Sequence, residues 1–498
     1  MFVGTASDVG KSVITTGFCR IFKQDGYHPA PFKAQNMSLN SYATPEGLEI
    51  GRAQAVQAEA CGIPCHTDMN PLLLKPVTDK SSQVVLHGKA AGNFSVKEYF
   101  LSDTRETLFS EVKTAYHRLA EQYSPIVMEG AGSISELNLK QRDVTNMRMA
   151  IEADAATYLV ADIDRGGVFA SCYGTIALLT PEEKKQVKGI IINKFRGDPS
   201  LFKEGITILE ELCGLPVIGV VPFFKDIVIE EEDSVALAAR QHRSVPGQVN
   251  IAVILVDRLS NYTDFNRLEQ TPGINLFYTR DVAEIGKADI IILPGSKNTI
   301  EDLLNLHNNG VAAAIQQANT NKKTVIGICG GYQMMGQWVE DPLHIESRFD
   351  RAEGLGLLPV TTVMKGEKTT LQREFSFRGL PQLCQGYEIH MGETRVISPG
   401  NEPQTTPVSS GPANPESPLN YFPDGHTDGY FLNQKCWGTY LHGILDNTSV
   451  INELIAPYTD QPGRHFDYRL YKEQQYDKLA ALLRQHLAID KIYSTLKY

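Results

Sequence analysis

Residues Thr324–Gly336 read T-V-I-G-I-C-G-G-Y-Q-M-M-G. The apolar run Val325, Ile326 and Ile328 predicts a buried strand ending on Cys329, and Gly330 and Gly331 open a helix through Tyr332, Met334 and Met335. A cysteine between a strand end and a helix start is an elbow: small neighbours permit the tight turn, and the sulfur points away from the packed core. A helix start also favours thiolate over thiol. The competing reading is a core cysteine in an ordinary strand, since free cysteines are often buried packing. The glycines of G-I-C-G-G-Y-Q select the nucleophile.

Outward from this stretch, the 498 residues suggest about three domains, or two large α/β ones. Hydrophobic content of 42% and charged content of 21% are those of an ordinary globular protein. No apolar run reaches transmembrane length, and M-F-V-G-T lacks the regions of a signal peptide, so a cytoplasmic enzyme with no membrane partner is expected. A net charge of −11 argues against a nucleic-acid partner, and Lys184-Lys185 and Lys322-Lys323 read as solvated faces. Of eight cysteines the one close pair, Cys61 and Cys65, has no partner pair, which implies neither zinc nor a disulfide framework. No solenoid-period repeat is present. A homo-oligomer is left open.

At the chain start, M-F-V is followed by G-T-A-S-D-V-G-K-S (Gly4–Ser12) and a helical pattern through Val13, Ile14, Phe18, Ile21 and Phe22 that stops near Gly26. Strand, glycine loop and helix are the context of a P-loop: backbone N–H groups hold phosphates, Lys11 reaches the terminal ones, and Ser12 can ligate magnesium. Five residues rather than four separate Gly4 from Gly10. The leading strand is short, which leaves room for residues ahead of Met1.

Strand and helix patterns then alternate as in a parallel sheet. P-I-V-M-E-G-A-G ends a strand on Glu129, placed to hold magnesium directly or through water. T-Y-L-V-A-D-I-D-R-G-G ends on Asp162, Asp164 and Arg165, and G-I-I-I-N-K-F-R-G-D on Asn193 and Lys194. Such strand ends describe an active-site rim, with Asn193 a candidate to read a nucleotide base. F-K-A-Q-N-M-S-L-N (Phe32–Asn40) and D-M-N-P-L-L-L-K-P (Asp68–Pro76) read as loops reaching the same edge, where Lys33, Gln35, Asn36 and Lys75 are candidate substrate ligands.

The run V-I-G-V-V-P-F closes a first domain, taken as 1–226; residues 227–248 read as a linker, and 249–498 as a second domain. There, D-I-I-I-L-P-G-S-K-N-T places Gly295 in a turn where an oxyanion-hole amide could sit. A segment near 399–418, rich in Pro, Ser, Thr and Asn, reads as a flexible insertion, and Phe466–Leu487 as an amphipathic helix packing across a domain. A thiol nucleophile needs an imidazole. His442 (C-W-G-T-Y-L-H-G) and His390 (G-Y-E-I-H-M-G) both follow strand-like runs and are nearly equal by the residues alone.

G-I-C-G-G-Y-Q resembles the glutaminase domain of class I, triad-type glutamine amidotransferases, and G-T-x-S-x-x-G-K-S resembles dethiobiotin synthetase. Their fusion is similar to the cobyrinate and cobyric acid amidotransferase family. K-A-Q-N-M-S, G-R-A-Q-A-V-Q-A-E-A, D-M-N-P-L-L-L-K-P, D-I-D-R-G-G-V-F-A, I-N-K-F-R-G-D, P-G-S-K-N-T and G-Y-E-I-H-M-G, spanning residues 33–393, resemble its cobyric acid synthase branch. The resemblance implies an α/β chain: an N-terminal P-loop parallel-sheet domain and a C-terminal class I glutamine amidotransferase-like α/β domain. It implies ATP and Mg2+ as cofactors, glutamine and a corrinoid as small-molecule partners, and amidation of carboxylates b, d, e and g of adenosylcobyrinic acid a,c-diamide. Residue by residue it implies Cys329 as nucleophile with His442 as its base, and Gly295 and Gly330 as oxyanion hole. It further implies phosphate binding at Lys11 and magnesium at Ser12 and Glu129; with the loop and strand-end positions, the expected nucleotide contacts are Thr5, Gly10, Lys11, Ser12 and Asn193. The usual Glu two residues after the base is replaced by Ile444, so the third triad member is missing or comes from elsewhere. Two other readings stay open: an a,c-diamide synthase, whose glycine-proline-aspartate loop is absent here, and a partitioning-type P-loop switch, which would carry lysine where Thr5 stands.

Overall fold

In the computed structural model, residues 1–78, 81–95, 104–140, 142–230, 242–397, 418–459 and 467–496 are described. Most of the expected insertion (399–417 of 399–418) and the middle of the expected linker (231–241) lie outside them.

The N-terminal sheet runs Phe2–Gly4, Thr157–Asp162, Val187–Phe195, Val217–Pro222, all parallel. A bridge from Phe2 to Glu129 adds the parallel pair Ala30–Phe32 and Ile126–Met128 on the other side of Phe2–Gly4. Successive strand residues alternate between two hydrophobic clusters. Val3, Leu159, Ala161, Ile190 and Ile192 pack on one face, and Phe2, Tyr158, Val160 and Ile191 on the other. This period-2 division is that of a sheet covered on both faces. The P-loop helix spans Lys11–Gln24.

Two stretches expected as loops are strands. Leu72–Thr78 pairs in parallel with Gln35–Met37 and antiparallel with Ser81–Leu86. Pro76 reads as a loop residue but sits near the end of its strand, beside a register shift, where a missing N–H is tolerated.

The second sheet has the order Ile274–Thr279, Val249–Ile254, Ile290–Leu293, Thr324–Ile328, Cys436–Thr439, Tyr430–Asn433, parallel except at the last pair. A long antiparallel hairpin, Val360–Phe377 with Leu383–Val396, lies beside it and pairs with Leu441–His442. No helix among the described residues is long and apolar enough to cross a membrane.

The helix Tyr468–His486, counted with the second domain by its sequence position, packs on the first. Tyr476, Leu479, Ala480 and Leu483 join the cluster of Ile14 and Phe18. A Cβ at Gly17 would stand 2.3 Å from Leu483 Cδ1, so the two helices are interlocked at that point. Arg20 adds ion pairs to Glu473 at 2.7 Å and Asp477 at 2.6 Å. Because Leu483 is fully buried, Leu483→Ala is expected to destabilise the chain by about 2–5 kcal/mol in urea unfolding; a loss under about 1 kcal/mol would show that this helix is not integral to the first domain.

Candidate active sites

Two cavities collect the candidate residues. The first, of about 1080 Å3, is lined by Gly10, Lys11, Ser12, Lys33, Gln35, Asn36, Glu129 and Arg165 among others. Lys11 Nζ donates to the carbonyls of Ala6 and Gly132, each at 3.0 Å, which folds the loop over its own lysine. Ser12 Oγ donates to Glu129 Oε1 at 2.8 Å; Lys33 Nζ donates to the same oxygen at 2.9 Å and Gln57 Nε2 to Oε2 at 2.6 Å. Burial pushes the Glu129 carboxyl up, but the Lys33 ammonium and these hydrogen bonds outweigh it and hold it below the usual range.

Thr5, Asn193, Asp162 and Asp164 do not line this cavity. Thr5 donates its N–H to Val160 O at 3.1 Å, tying the loop to the sheet. Asn193 is buried, and its amide donates to Val9 O at 2.8 Å, so that group supports the loop from below. Asp162 accepts from Lys194 Nζ at 3.0 Å, and Asp164 pairs with the exposed Arg196. Lys75 departs from expectation. It lines no part of this cavity; it is buried, donating to Glu49 at 2.6 Å and Ser41 Oγ at 2.9 Å, and reaches the second cavity. The cause is the strand Leu72–Thr78, which carries it past the end of Gln35–Met37.

The second cavity, of about 40 Å3, is lined by Cys329, His442, Ser296, Gln333 and His390 among others. Cys329 has φ 52 and ψ −111, a backbone that an L-residue adopts only under strain, worth about 1–3 kcal/mol. Its N–H donates to Thr439 O at 2.8 Å and its sulfur to Ile389 O at 3.6 Å. The turn requires glycine next to it for space: a Cβ at Gly331 would stand 1.9 Å from Leu293 O, and one at Gly330 2.8 Å from Ser296 N. These approaches press the backbone after Cys329 against the Gly295–Ser296 strand, and a Cβ at Gly295 would stand 3.3 Å from His442 Cε1. The helix itself is short, Gly330–Met334.

The structure separates the two histidines. His390 stacks on Tyr440 with ring centroids 3.8 Å apart, and its Nδ1 lies 2.9 Å from Gly392 O. His442 is 1% exposed, stacks against Tyr387 at 5.3 Å, and donates from Nδ1 to Asp264 Oδ2 at 2.7 Å. The other Asp264 oxygen accepts the Gly443 N–H at 2.9 Å, which fixes the carboxylate plane. Asp264 thus places a carboxylate on the ring where Ile444 offers none. It sits in the 3-10 turn Tyr262–Phe265, 178 residues from His442 in sequence, where no periodicity or motif marks it. That turn is braced by the first domain: Ser41 N–H donates to Asn261 Oδ1 at 2.9 Å and Tyr262 N–H to Asn40 Oδ1 at 3.1 Å.

Burial by itself would lower the His442 ring, but the Asp264 carboxylate and hydrogen bonding to the Cys329 sulfur outweigh it and raise the ring to about 10. The ring is thus placed to hold the proton the sulfur gives up. Since this folded value lies above the ordinary 6.5, the stability it contributes is fully present below pH 6.5 and is lost as pH rises through about 10. NMR titration of ring-labelled histidine is expected to find His442 near 10 in the native chain and several units lower in Asp264→Asn; an unchanged value would remove Asp264 as the cause.

Comparison with known proteins agrees with both halves. Residues 1–235 match the CobQ/CobB/MinD/ParA nucleotide binding domain, and residues 250–450 the CobB/CobQ-like glutamine amidotransferase domain. The chain is 59% identical over 497 residues to the cobyric acid synthase of Bacteroides fragilis, covering 100% of this chain and 98% of that one. It is 59% identical over 503 residues to that of Parabacteroides distasonis, with 100% and 98% covered. To that of Syntrophobacter fumaroxidans it is 46% identical over 511 residues, with 99% and 97% covered. With a thiol–imidazole–carboxylate site in one domain and a phosphate-binding loop in the other, this chain belongs to the cobyric acid synthase family of amidotransferase ligases.

Proposed function

We propose that the chain amidates the b, d, e and g carboxylates of adenosylcobyrinic acid a,c-diamide, using ATP and glutamine, in the cytoplasm. The observation that carries the reading is the Cys329–His442–Asp264 chain of contacts beside Gly295 and Gly330, on the same polypeptide as the Lys11 loop.

In the glutaminase half, Cys329 Sγ attacks the side-chain amide carbon of glutamine as the thiolate, its proton already held on the His442 ring. The oxyanion is met by the N–H groups of Gly295 and Gly330. His442 returns the proton to the departing nitrogen, ammonia leaves, and water then cleaves the thioester to glutamate. Asp264 keeps the ring's Nδ1 proton in place throughout, so that Nε2 faces the reaction.

In the ligase half, Lys11 and the N–H groups of the Gly4–Ser12 loop hold the phosphates of ATP. A corrinoid carboxylate oxygen attacks the terminal phosphorus and ADP leaves, giving an acyl phosphate. Ammonia attacks the acyl carbon, phosphate leaves, and an amide remains. The residues present fit a magnesium ion. Ser12 Oγ and the ionised Glu129 are adjacent hard oxygen donors, and the cation Lys33 already lies on the same oxygen. Among the described residues no cluster of three or more His, Cys, Asp or Glu side chains forms a metal cage, so phosphate and water would complete the shell. When bound, magnesium would neutralise phosphate charge. We propose further that ammonia passes between the sites without release.

Mass spectrometry of the corrinoid after incubation with ATP, magnesium and glutamine is expected to show four successive acid-to-amide steps. No change, with glutamine still hydrolysed, would keep the amidotransferase and overturn the acceptor. Cys329→Ser should abolish glutamine-dependent amidation, a loss on the order of a thousandfold or more, yet keep activity with ammonium. Lys11→Ala should lose both. Glutamine use by Cys329→Ser would overturn the nucleophile.

A further inference from the structure

Besides Cys329 and His442, four residues with charged side chains line the second cavity: Lys75, Lys297, Glu346 and Lys368. Lys75 and Lys368 are both committed to the buried carboxylate of Glu49. Lys297 and Glu346 bond one another at 2.8 Å, with side chains only 8% and 10% exposed. One cation and one anion thus meet at the rim of the nucleophile's cavity.

Each stands on backbone held from beneath by a buried carboxylate turned onto donors of its own domain. Lys297 follows Gly295 and Ser296; Asp302 accepts from Ser296 Oγ at 2.5 Å and from the Asp257 N–H at 2.9 Å, and Ser296 Oγ in turn accepts the Asn298 N–H at 3.0 Å. Glu346 lies in a loop whose N–H groups at Ile345, Glu346 and Ser347 all donate to Asp341, at 2.8, 2.9 and 2.8 Å. Gly295 and Lys297 are two residues apart, at most about 7 Å between Cα atoms. Glutamine's amide carbon and α-carbon are separated by two methylenes, a length that fits within that span.

We propose that Lys297 and Glu346 form the subsite for the amino-acid end of glutamine, Lys297 taking the α-carboxylate and Glu346 the α-ammonium. This rests on the reading of Cys329 as a glutaminase nucleophile. Without substrate the two side chains neutralise each other. On binding, the two charges of glutamine replace them ion for ion, so no buried charge is left unpaired. A cavity of about 40 Å3 holds roughly one water, so parting the pair is also what admits the substrate. Lys297 rather than Lys75 or Lys368 is assigned the α-carboxylate, because it stands two residues from Gly295 and faces an anion of its own domain that can take the α-ammonium, whereas Lys75 and Lys368 face one shared carboxylate, Glu49.

Ammonia release from three amides tests the assignment: glutamine, 4-carbamoylbutanoate, which lacks the α-ammonium, and 4-aminobutanamide, which lacks the α-carboxylate. Glu346→Gln is expected to lower kcat/KM for glutamine about 10- to 100-fold, mainly through KM, while changing 4-carbamoylbutanoate less than about threefold. Lys297→Met should do the same for glutamine and spare 4-aminobutanamide. Equal losses on all three amides, or none, would overturn the assignment. The exchanged pair, Lys297→Glu with Glu346→Lys, keeps the ion pair and so the fold. It should raise the glutamine KM at least tenfold, and an unchanged KM would also overturn the assignment. A wild-type chain that releases no ammonia from glutamine would instead overturn the glutaminase reading, and this inference with it.

Discussion

The left-handed backbone at Cys329 is the constraint on which the rest of the second domain turns. A residue at φ 52 and ψ −111 is tolerated only where surrounding contacts over-determine it. Those contacts come from every side: Thr439 O holds the N–H, Leu293 O and Ser296 N crowd the two following glycines, and the strand Thr324–Ile328 is fully buried. The strain is set against the core of a six-stranded sheet. Its result is a sulfur at the sheet's edge, where strands from distant parts of the chain bring His442, Gly295 and Ile389.

That edge is also where the two domains meet. The first domain contributes Lys75 to the cavity wall and braces the turn that carries Asp264 through Asn40 and Ser41. Gln35, Asn36 and Met37 line the phosphate-side cavity, and their strand pairs with Leu72–Leu74, the residues immediately before Lys75. One short ladder therefore has a phosphate-site wall at one strand and a thiol-site wall one residue beyond the other. Strand geometry makes that step about 3.3 Å.

Much of this was legible in the residues. The Gly4–Ser12 loop, the elbow at Cys329 and Glu129 at a strand end each rest on local chemistry, where a few consecutive residues fix the conformation. What was not legible depended on contacts far apart in sequence. Asp264 lies in N-Y-T-D-F, a turn with no periodic signal, and becomes an orienting acid only through its meeting with His442. Lys75 follows D-M-N-P, which reads as a loop; its strand exists because Gln35–Met37 and Ser81–Leu86 pair with it. The last helix reads as amphipathic, but its partner, the helix Lys11–Gln24, lies at the opposite end of the chain. By the residues alone His442 and His390 are nearly equal; in the structure His442 meets Asp264 at 2.7 Å, while the nearest carboxylate to His390 is Glu388 at 3.7 Å.

In the proposed reaction, nitrogen released at Cys329 is used at the Lys11 site of the same molecule. The most direct measurement is the isotopic composition of the corrinoid amides formed from amide-15N glutamine in the presence of excess unlabelled ammonium. The account predicts amides that carry mainly 15N. Amides with the isotope ratio of the bulk ammonium would contradict it.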